Sequence, residues 1–559
     1  MKQLEEYYWT GMVVGILLLL SPVAGFAQEQ WESEGEIENV EIEIVKERQI
    51  VLPKASRNFE KVPPRPIEPI KPEITYEFTN LKFNVSEYNP QIRPLKLKPE
   101  EIHKIYGGYV SAGLGNYSSP YLEGWLTSKR DKNKFYGAHF FHNSFGIGPV
   151  DKQNSASTNT SLSVFGKAYS NTLATGGFIN YNNVGGYFYG YKPTTAELDR
   201  NKFKQSYNIT SLGVDLANVK PSDFNASLKA GFSYLDDHYK AKESEVALNF
   251  MSDYIISETN RVELAVDYFL IARKDSLRDA DPRHLFKIKP AYKFEAVEKL
   301  WLTVGLNTAL ENDTLGSSKP FHVYPNLRVD YQLGESINAY GGVTGDMDKV
   351  SLHTLSAENM WVTKNLDIFH TNRSIDLYGG LKGKLGRKAG FGLGVSYANL
   401  KGLYFYQNSS LNRAKFDVIY DNGNTQRANL FAEVSFSHAE VVKMNVRGDY
   451  FNYSTDKLAE AYHRPKYRLT YNSSFNIYKK LVLNIDFIAQ GGIKAYDNEK
   501  LKVVELKPAL DLNLKVDYFV SKQFSIFLKF NNLLSNQYQV YLNYPVRGFQ
   551  AMGGISWSF

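Results

Sequence analysis

From residue 105 to residue 559 the sequence runs in stretches of about ten residues in which apolar and polar side chains alternate, each closed by turn-forming residues. In "RVELAVDYFL", Val262, Leu264, Val266 and Tyr268 share one face, while Glu263 and Asp267 share the other. "VVKMNVRGDY" repeats the pattern, with Val442, Met444, Val446 and Tyr450 opposite Lys443, Asn445, Arg447 and Asp449. "LVLNIDF", "DLNLKVDYF" and "FSIFLKF" continue it. A period of two describes strands with one apolar face. Their length, roughly 9 to 11 residues, is what a tilted strand needs to cross hydrocarbon, and Tyr, Trp and Phe gather near their ends. A soluble sandwich would have to bury so many apolar faces against one another. A closed barrel in a membrane buries them in lipid and leaves no free sheet edge. The expected fold is therefore all-β, a large antiparallel transmembrane β-barrel over 105–559.

Composition agrees. Aromatic residues reach 14%, through 39 Tyr and 34 Phe, yet mean hydropathy is negative, as expected where lipid-facing and water-facing residues alternate. Apart from residues near the N-terminus, no stretch is apolar for the ~18 residues of a spanning helix. Candidate strands number roughly 25, and bacterial single-chain barrels carry an even count, so about 22 to 24 are expected. The surplus lies in the Gly-rich text of 172–191 and 389–422, which permits one long bent strand or two. Long connections such as 345–370 and 453–466 alternate with tight turns such as "GES", "GRK" and "VSK". The long set is assigned to the extracellular rim. Within it, "VSLHTLSAENMW" reads as a short helical turn.

The N-terminal text "GMVVGILLLLSPVAG" has the length of a signal-peptide core, with Gly25 and Ala27 small where a signal peptidase reads. Residues 1–27 are thus expected to be a signal peptide cleaved after Ala27; Glu5 and Glu6 keep a single anchoring helix as the alternative. Residues 28–104 form an acidic and then Pro-rich periplasmic arm, expected to be flexible because such composition cannot bury a core. Inside it Val40, Glu41, Ile42, Glu43, Ile44 and Val45 alternate as a short strand that either pairs with a partner sheet or pairs with nothing.

No enzyme is expected. The chain has no cysteine, its ten histidines are scattered, and no nucleophile elbow or phosphate-cradling loop is present. No metal site or cofactor is assigned. "DNGN" at 421–424 reads as a hairpin turn rather than a calcium loop, and "DSLRDAD" at 275–281 is a weak cation candidate. Carboxylates on the polar strand faces read as solvated pore wall. A net charge of +6 spread over the chain argues against a nucleic-acid partner.

The final stretch, "FSIFLKFNNLLSNQYQVYLNYPVRGFQAMGGISWSF", resembles the ending of TonB-dependent receptors of the type common in Bacteroidota, which are Gram-negative. Asn531, Asn532, Leu533, Tyr538, Tyr544, Pro545, Arg547 and Phe549 occupy the places that carry the likeness. The resemblance implies an outer-membrane barrel inserted by the barrel assembly machinery, with Ile555, Trp557 and Phe559 as the assembly signal. It also implies solute transport, with Val40–Val45 in the place of the box that pairs with a periplasmic energy transducer. Residues 28–104 are too short for that family's plug. The leading expectation is a plugless receptor-like barrel serving uptake. The alternative is a subunit of an outer-membrane complex for protein assembly or export, held by lipoprotein or barrel partners, its pore closed by loops or by those partners; a general porin is a third class.

Overall fold

The computed structural model describes residues 105–559 except 130, 193–198, 278 and 314–319, together with the isolated positions 73, 75 and 77. Ala27 and Val40–Val45 lie outside the described residues.

Twenty-two strands form one antiparallel sheet that closes on itself. The first strand, Gly108–Gly115, pairs with its sequence neighbour Ser119–Thr127 and also with the last, Gln550–Ser558, in register from Tyr109 opposite Ser558 to Gly115 opposite Met552. Strands run from 8 residues at Gly108–Gly115 to 16 at Lys242–Ser257. No edge is left for another chain to add to.

The alternation read from sequence sorts side chains between lipid and lumen. On strand Ala389–Lys401, Leu393, Val395 and Tyr397 are exposed on the outer face, while Gly392, Gly394 and Ser396 point inward. On strand Leu300–Glu311, Val304, Leu306 and Leu310 face outward, and Asn307, Ala309 and Glu311 are buried within. Such a belt repeated around the sheet is intolerable in water, where apolar area costs about 25 cal/mol per Å², and is what a bilayer requires. The protein is an outer-membrane β-barrel. Among the described residues no helix is long and apolar enough to cross a membrane.

The count settles at the low end of the expected range for two reasons. Leu173–Tyr187 is one continuous strand, its glycines serving close approach rather than a break: a Cβ on Gly176 would lie 2.2 Å from the Asp215 carboxylate, which pairs with Lys167 at 3.2 Å. Tyr404–Asn408 and Phe416–Tyr420, which read as barrel strands, form instead a small hairpin of their own above the sheet. The "DNGN" text is likewise not the turn of a strand pair. It leads from that hairpin into strand Asn424–His438, and Asp421 accepts the backbone N–H groups of Asp456 and Lys457, both at 2.8 Å.

Tight turns such as 258–259, 298–299 and 386–388 lie at the end that holds Gly108 and Ser558. All the long connections leave from the opposite end: 146–156, 188–203, 275–282, 312–320, 349–370, 402–423, 455–466, 492–508 and 532–549.

Candidate functional site: a loop cap across the barrel mouth

The long loops have a hydrophobic core of their own. Val350, Leu352, Leu355, Val362, Leu366 and Ile368 from 349–370 pack with Tyr406 and Phe416 of the hairpin and with Tyr541 and Tyr544 of 532–549. The same cluster takes in Tyr207, Ile209, Leu235 and Ala241 from the rims of strands Lys204–Asn218 and Phe224–Asp237. Those are the sixth and seventh strands, whereas 402–423 follows the fifteenth, so groups from nearly opposite walls of the barrel share one core. Loop 349–370 is the bar between them.

Its start is a short helix, Leu352–Glu358, set by a capping box in which the Ser351 and Thr354 side chains bond each other's backbone N–H. A helix this short leaves its last carbonyls with few intrahelical partners, and tyrosine hydroxyls add donors to its final turn. The Tyr406 hydroxyl donates to the Leu355 carbonyl at 3.1 Å and the Tyr541 hydroxyl to that of Glu358 at 2.8 Å. The Glu358 carboxylate accepts from Tyr404 at 2.6 Å and Arg464 at 2.8 Å. Next in the chain, Trp361 lies with its ring centroid 4.1 Å from Tyr544 and donates its indole N–H to the Tyr187 carbonyl at 3.0 Å. The Lys415 ammonium, from the hairpin, sits 4.5 Å over Phe188 and 4.3 Å over Tyr239 on the far rim. Aromatic and cation–π contacts of this kind each contribute of the order of 0.5–2 kcal/mol when desolvated.

Two histidines are locked into the cap as neutral groups. His463 Nδ1 donates to the Tyr406 carbonyl at 2.8 Å and Nε2 accepts the Leu542 N–H at 3.2 Å, which fixes the tautomer. Complete burial, reinforced by Arg464, pushes its pKa down to about 4. His370 Nδ1 accepts from Arg283 at 2.9 Å and from the Val350 N–H at 3.1 Å; burial and the Arg283 charge push it down to about 3. Burial opposes ionisation of Asp313, yet its hydrogen bonds from Arg283, at 2.6 and 3.0 Å, hold the carboxyl below its usual range.

The inward carboxylates near the mouth are not solvated pore wall, as the sequence suggested. Glu243, Glu245 and Asp275 are all less than 10% exposed, and each holds loop 349–370. Glu243 accepts the N–H groups of Leu352 at 2.7 Å and His353 at 2.9 Å, Glu245 pairs with Lys349, and Asp275 accepts the Asn365 N–H at 2.7 Å. A buried carboxylate persists only with such partners. Sequence reasoning missed them because a lumen-facing Glu looks the same whether it meets water or a loop. The "DSLRDAD" carboxylates likewise diverge, Asp279 pairing with Lys274 at 3.0 Å.

Below the cap the lumen is polar. Lys289 pairs with Asp346 at 2.7 Å and Asp267 at 3.6 Å, and Lys287 with Asp346 at 3.3 Å. Two recesses of about 810 and 940 Å³ open along the wall, the first lined by Arg328, Tyr340, Tyr378, Glu433 and Arg447, the second by Arg261, Glu263, Lys289, Asn307 and Arg373. Among the described residues no group of three or more His, Asp or Glu side chains is arranged to hold a metal.

The C-terminal residues fall into two sets. Ile555, Trp557 and Phe559 are exposed on the lipid side of the closing strand, with the Phe559 N–H donating to the Gly108 carbonyl at 2.9 Å. Asn532 knits the last loop, donating to the carbonyls of Arg547 at 2.8 Å and Asn536 at 3.0 Å. Arg547 in turn donates to Ser157 Oγ at 2.7 Å and lies 4.2 Å over Phe145.

A closed 22-stranded barrel with an apolar outer belt, a polar lumen and long loops folded over one mouth belongs to the outer-membrane class. No protein-family model matches the chain, and no curated protein matches it. Solved structures do. The FrpB iron transporter from Neisseria meningitidis (F3-3 variant) aligns with TM-score 0.62 at 9% identity over 82% of each chain. The siderophore receptor PirA from Acinetobacter baumannii aligns with TM-score 0.60 at 12% identity, over 81% of this chain and 80% of that one. The ferripyoverdine receptor of the outer membrane of Pseudomonas aeruginosa, bound to ferripyoverdine, aligns with TM-score 0.60 at 11% identity, over 83% and 72%. At such identities the likeness is one of fold.

Proposed function

We propose that the protein is an uptake barrel of the outer membrane, similar to a TonB-dependent receptor but without a folded plug, and that the loop cap is its gate. The observation that carries this reading is the shared core of loops 349–370, 402–423 and 532–549 with the far rim: a pore that wide has to be closed, and here the loops provide closure. It argues against a general porin, whose mouth stays open, and the charged lumen beneath gives a polar solute a route. Val40–Val45 would couple uptake to a periplasmic energy transducer by strand pairing. The barrel assembly machinery would insert the chain by way of Ile555, Trp557 and Phe559.

The test is genetic. A strain lacking the protein is grown under restriction of single nutrients, iron sources included, and complemented with the full chain or with the chain lacking residues 36–50. A defect rescued by the full chain alone is expected. Equal rescue by the deletion refutes energy coupling through that segment.

A second reading, a closed structural subunit of a complex for protein assembly or export, is favoured by the dryness of the cap, where Phe405, Tyr406 and Phe416 are fully buried. The absence of any nutrient defect, with lipoprotein or barrel partners retained on purification from outer membrane, would select it.

A further inference from the structure

We propose that loop 349–370 is a gate bar, latched to the barrel wall by four charged residues at the mouth of one strand hairpin, and that opening is release of this latch. The inference rests on the reading of the cap as a gate. Loop 349–370 leaves strand Ile337–Asp348 and returns to strand Thr371–Leu385, so its ends are fixed on one wall. Just inside both ends it is held by a different pair of strands. Strands Lys242–Ser257 and Asn260–Lys274 present Glu243, Glu245, Arg273 and, one residue beyond, Asp275. Glu243 receives the first two N–H groups of helix Leu352–Glu358, Glu245 pairs with Lys349, Arg273 donates to the Leu366 carbonyl, and Asp275 receives the Asn365 N–H.

Above the bar, hydrogen bonds are joined by a buried apolar core that these contacts lack. The hairpin and 532–549 share an apolar core with it, Trp361 packing on Tyr544, and add hydrogen bonds: Val362 forms a parallel backbone bridge with Phe416, and the Tyr406 and Tyr541 hydroxyls donate to the Leu355 and Glu358 carbonyls. That side moves with the bar or not at all, because separating it exposes apolar area. The junction with strands Lys242–Ser257 and Asn260–Lys274 is charge-assisted hydrogen bonding, which water can replace once the mouth opens. Toward water the latch is therefore weaker than the apolar core, and its release frees the bar on this side while Tyr207, Ile209 and Leu235 hold it on the other.

The full chain contains no cysteine, so a lock can be introduced cleanly. Full-length protein carrying Glu245→Cys with Lys349→Cys, joined in its oxidised form by disulfides to a short dithiol linker that spans the length of the former ion pair, and a second variant carrying Glu243→Gln with Glu245→Gln, are compared with wild type in planar bilayers. Glu440→Gln, in a tight turn at the opposite end, is the control. The Gln pair is expected to raise the open probability about tenfold or more. The oxidised Cys pair is expected to stay shut at a urea concentration that opens the wild type, and to open after reduction. If the oxidised pair opens as readily as the reduced one, the bar is not the moving element. That lock decides the matter even where the Gln pair fails to assemble. The recording needs no solute, so the latch stands or falls separately from uptake.

Discussion

Acid should loosen the cap, and His463 sets the window. In the closed cap its ring is neutral, donating to Tyr406 and accepting from Leu542, with its pKa pushed down to about 4 by burial. Where loops 402–423, 455–466 and 532–549 come apart from one another, an event separate from release of the wall latch, the ring is hydrated and returns to about 6.5. The closed state binds fewer protons than the open one between those values. The His463 contribution to closure is therefore at full strength above pH ~6.5, weakens as pH falls, and stops weakening below about 4. At ~1.4 kcal/mol per unit, the loss by pH 5 is about 2 kcal/mol and by pH 4 about 3 kcal/mol. His370, pushed down to about 3, titrates in the same direction and extends the effect to lower pH. Trp361 stands in the shared core, and limited proteolysis in detergent, read on loops 402–423 and 455–466 between pH 7.5 and about 4.5, follows opening directly. His463→Gln retains a donor and an acceptor but no titration, and its cleavage rate should rise less steeply than the wild type's from pH 7 to about 5, the remaining rise coming from His370. A wild type insensitive to pH in that window, or a variant as sensitive as the wild type, would refute the argument.

Phe416 is fully buried at the junction of the hairpin, 349–370 and 532–549, so Phe416→Ala should destabilise the cap by about 3–5 kcal/mol. Faster proteolysis of the loops with unchanged heat-modifiable migration of the barrel would show that the loss is confined there. Phe559→Ala, or removal of Trp557 to Phe559, should lower the amount of folded protein in the outer membrane, measured by the same gel shift; undiminished abundance would count against an assembly signal.

The barrel was legible because its signal is repeated: Val262 against Glu263, or Leu483 against Asn484, states the same period in strand after strand. The hairpin at 404–420 was misread for the same reason. Phe405 and Phe416 alternate with neighbours as barrel residues do, and only their complete burial tells a cap from a lipid face. The helix of 352–358 could be read because Ser351 and Thr354 announce it locally. The latch could not. Glu243 and Lys349 meet partners a hundred or so residues away, and nothing near either names the other. The likeness at the C-terminus pointed to Asn532, Tyr544 and Arg547 as a signature, but their work is to brace the last loop, a role visible only once Phe145 and Ser157 are beside Arg547.

The pairing of Gly108–Gly115 with Gln550–Ser558 also fixes when the protein can become complete. Every other junction joins neighbouring strands and can zip as the chain emerges, but this one waits for the final nine-residue strand. A ribosome that stops early, or a protease that trims the tail, therefore leaves a curled sheet with two raw edges rather than a slightly smaller barrel. Sealing of the pore therefore waits on this one pairing. A truncated copy never becomes a leaky pore of reduced size; it remains an unsealed substrate for degradation.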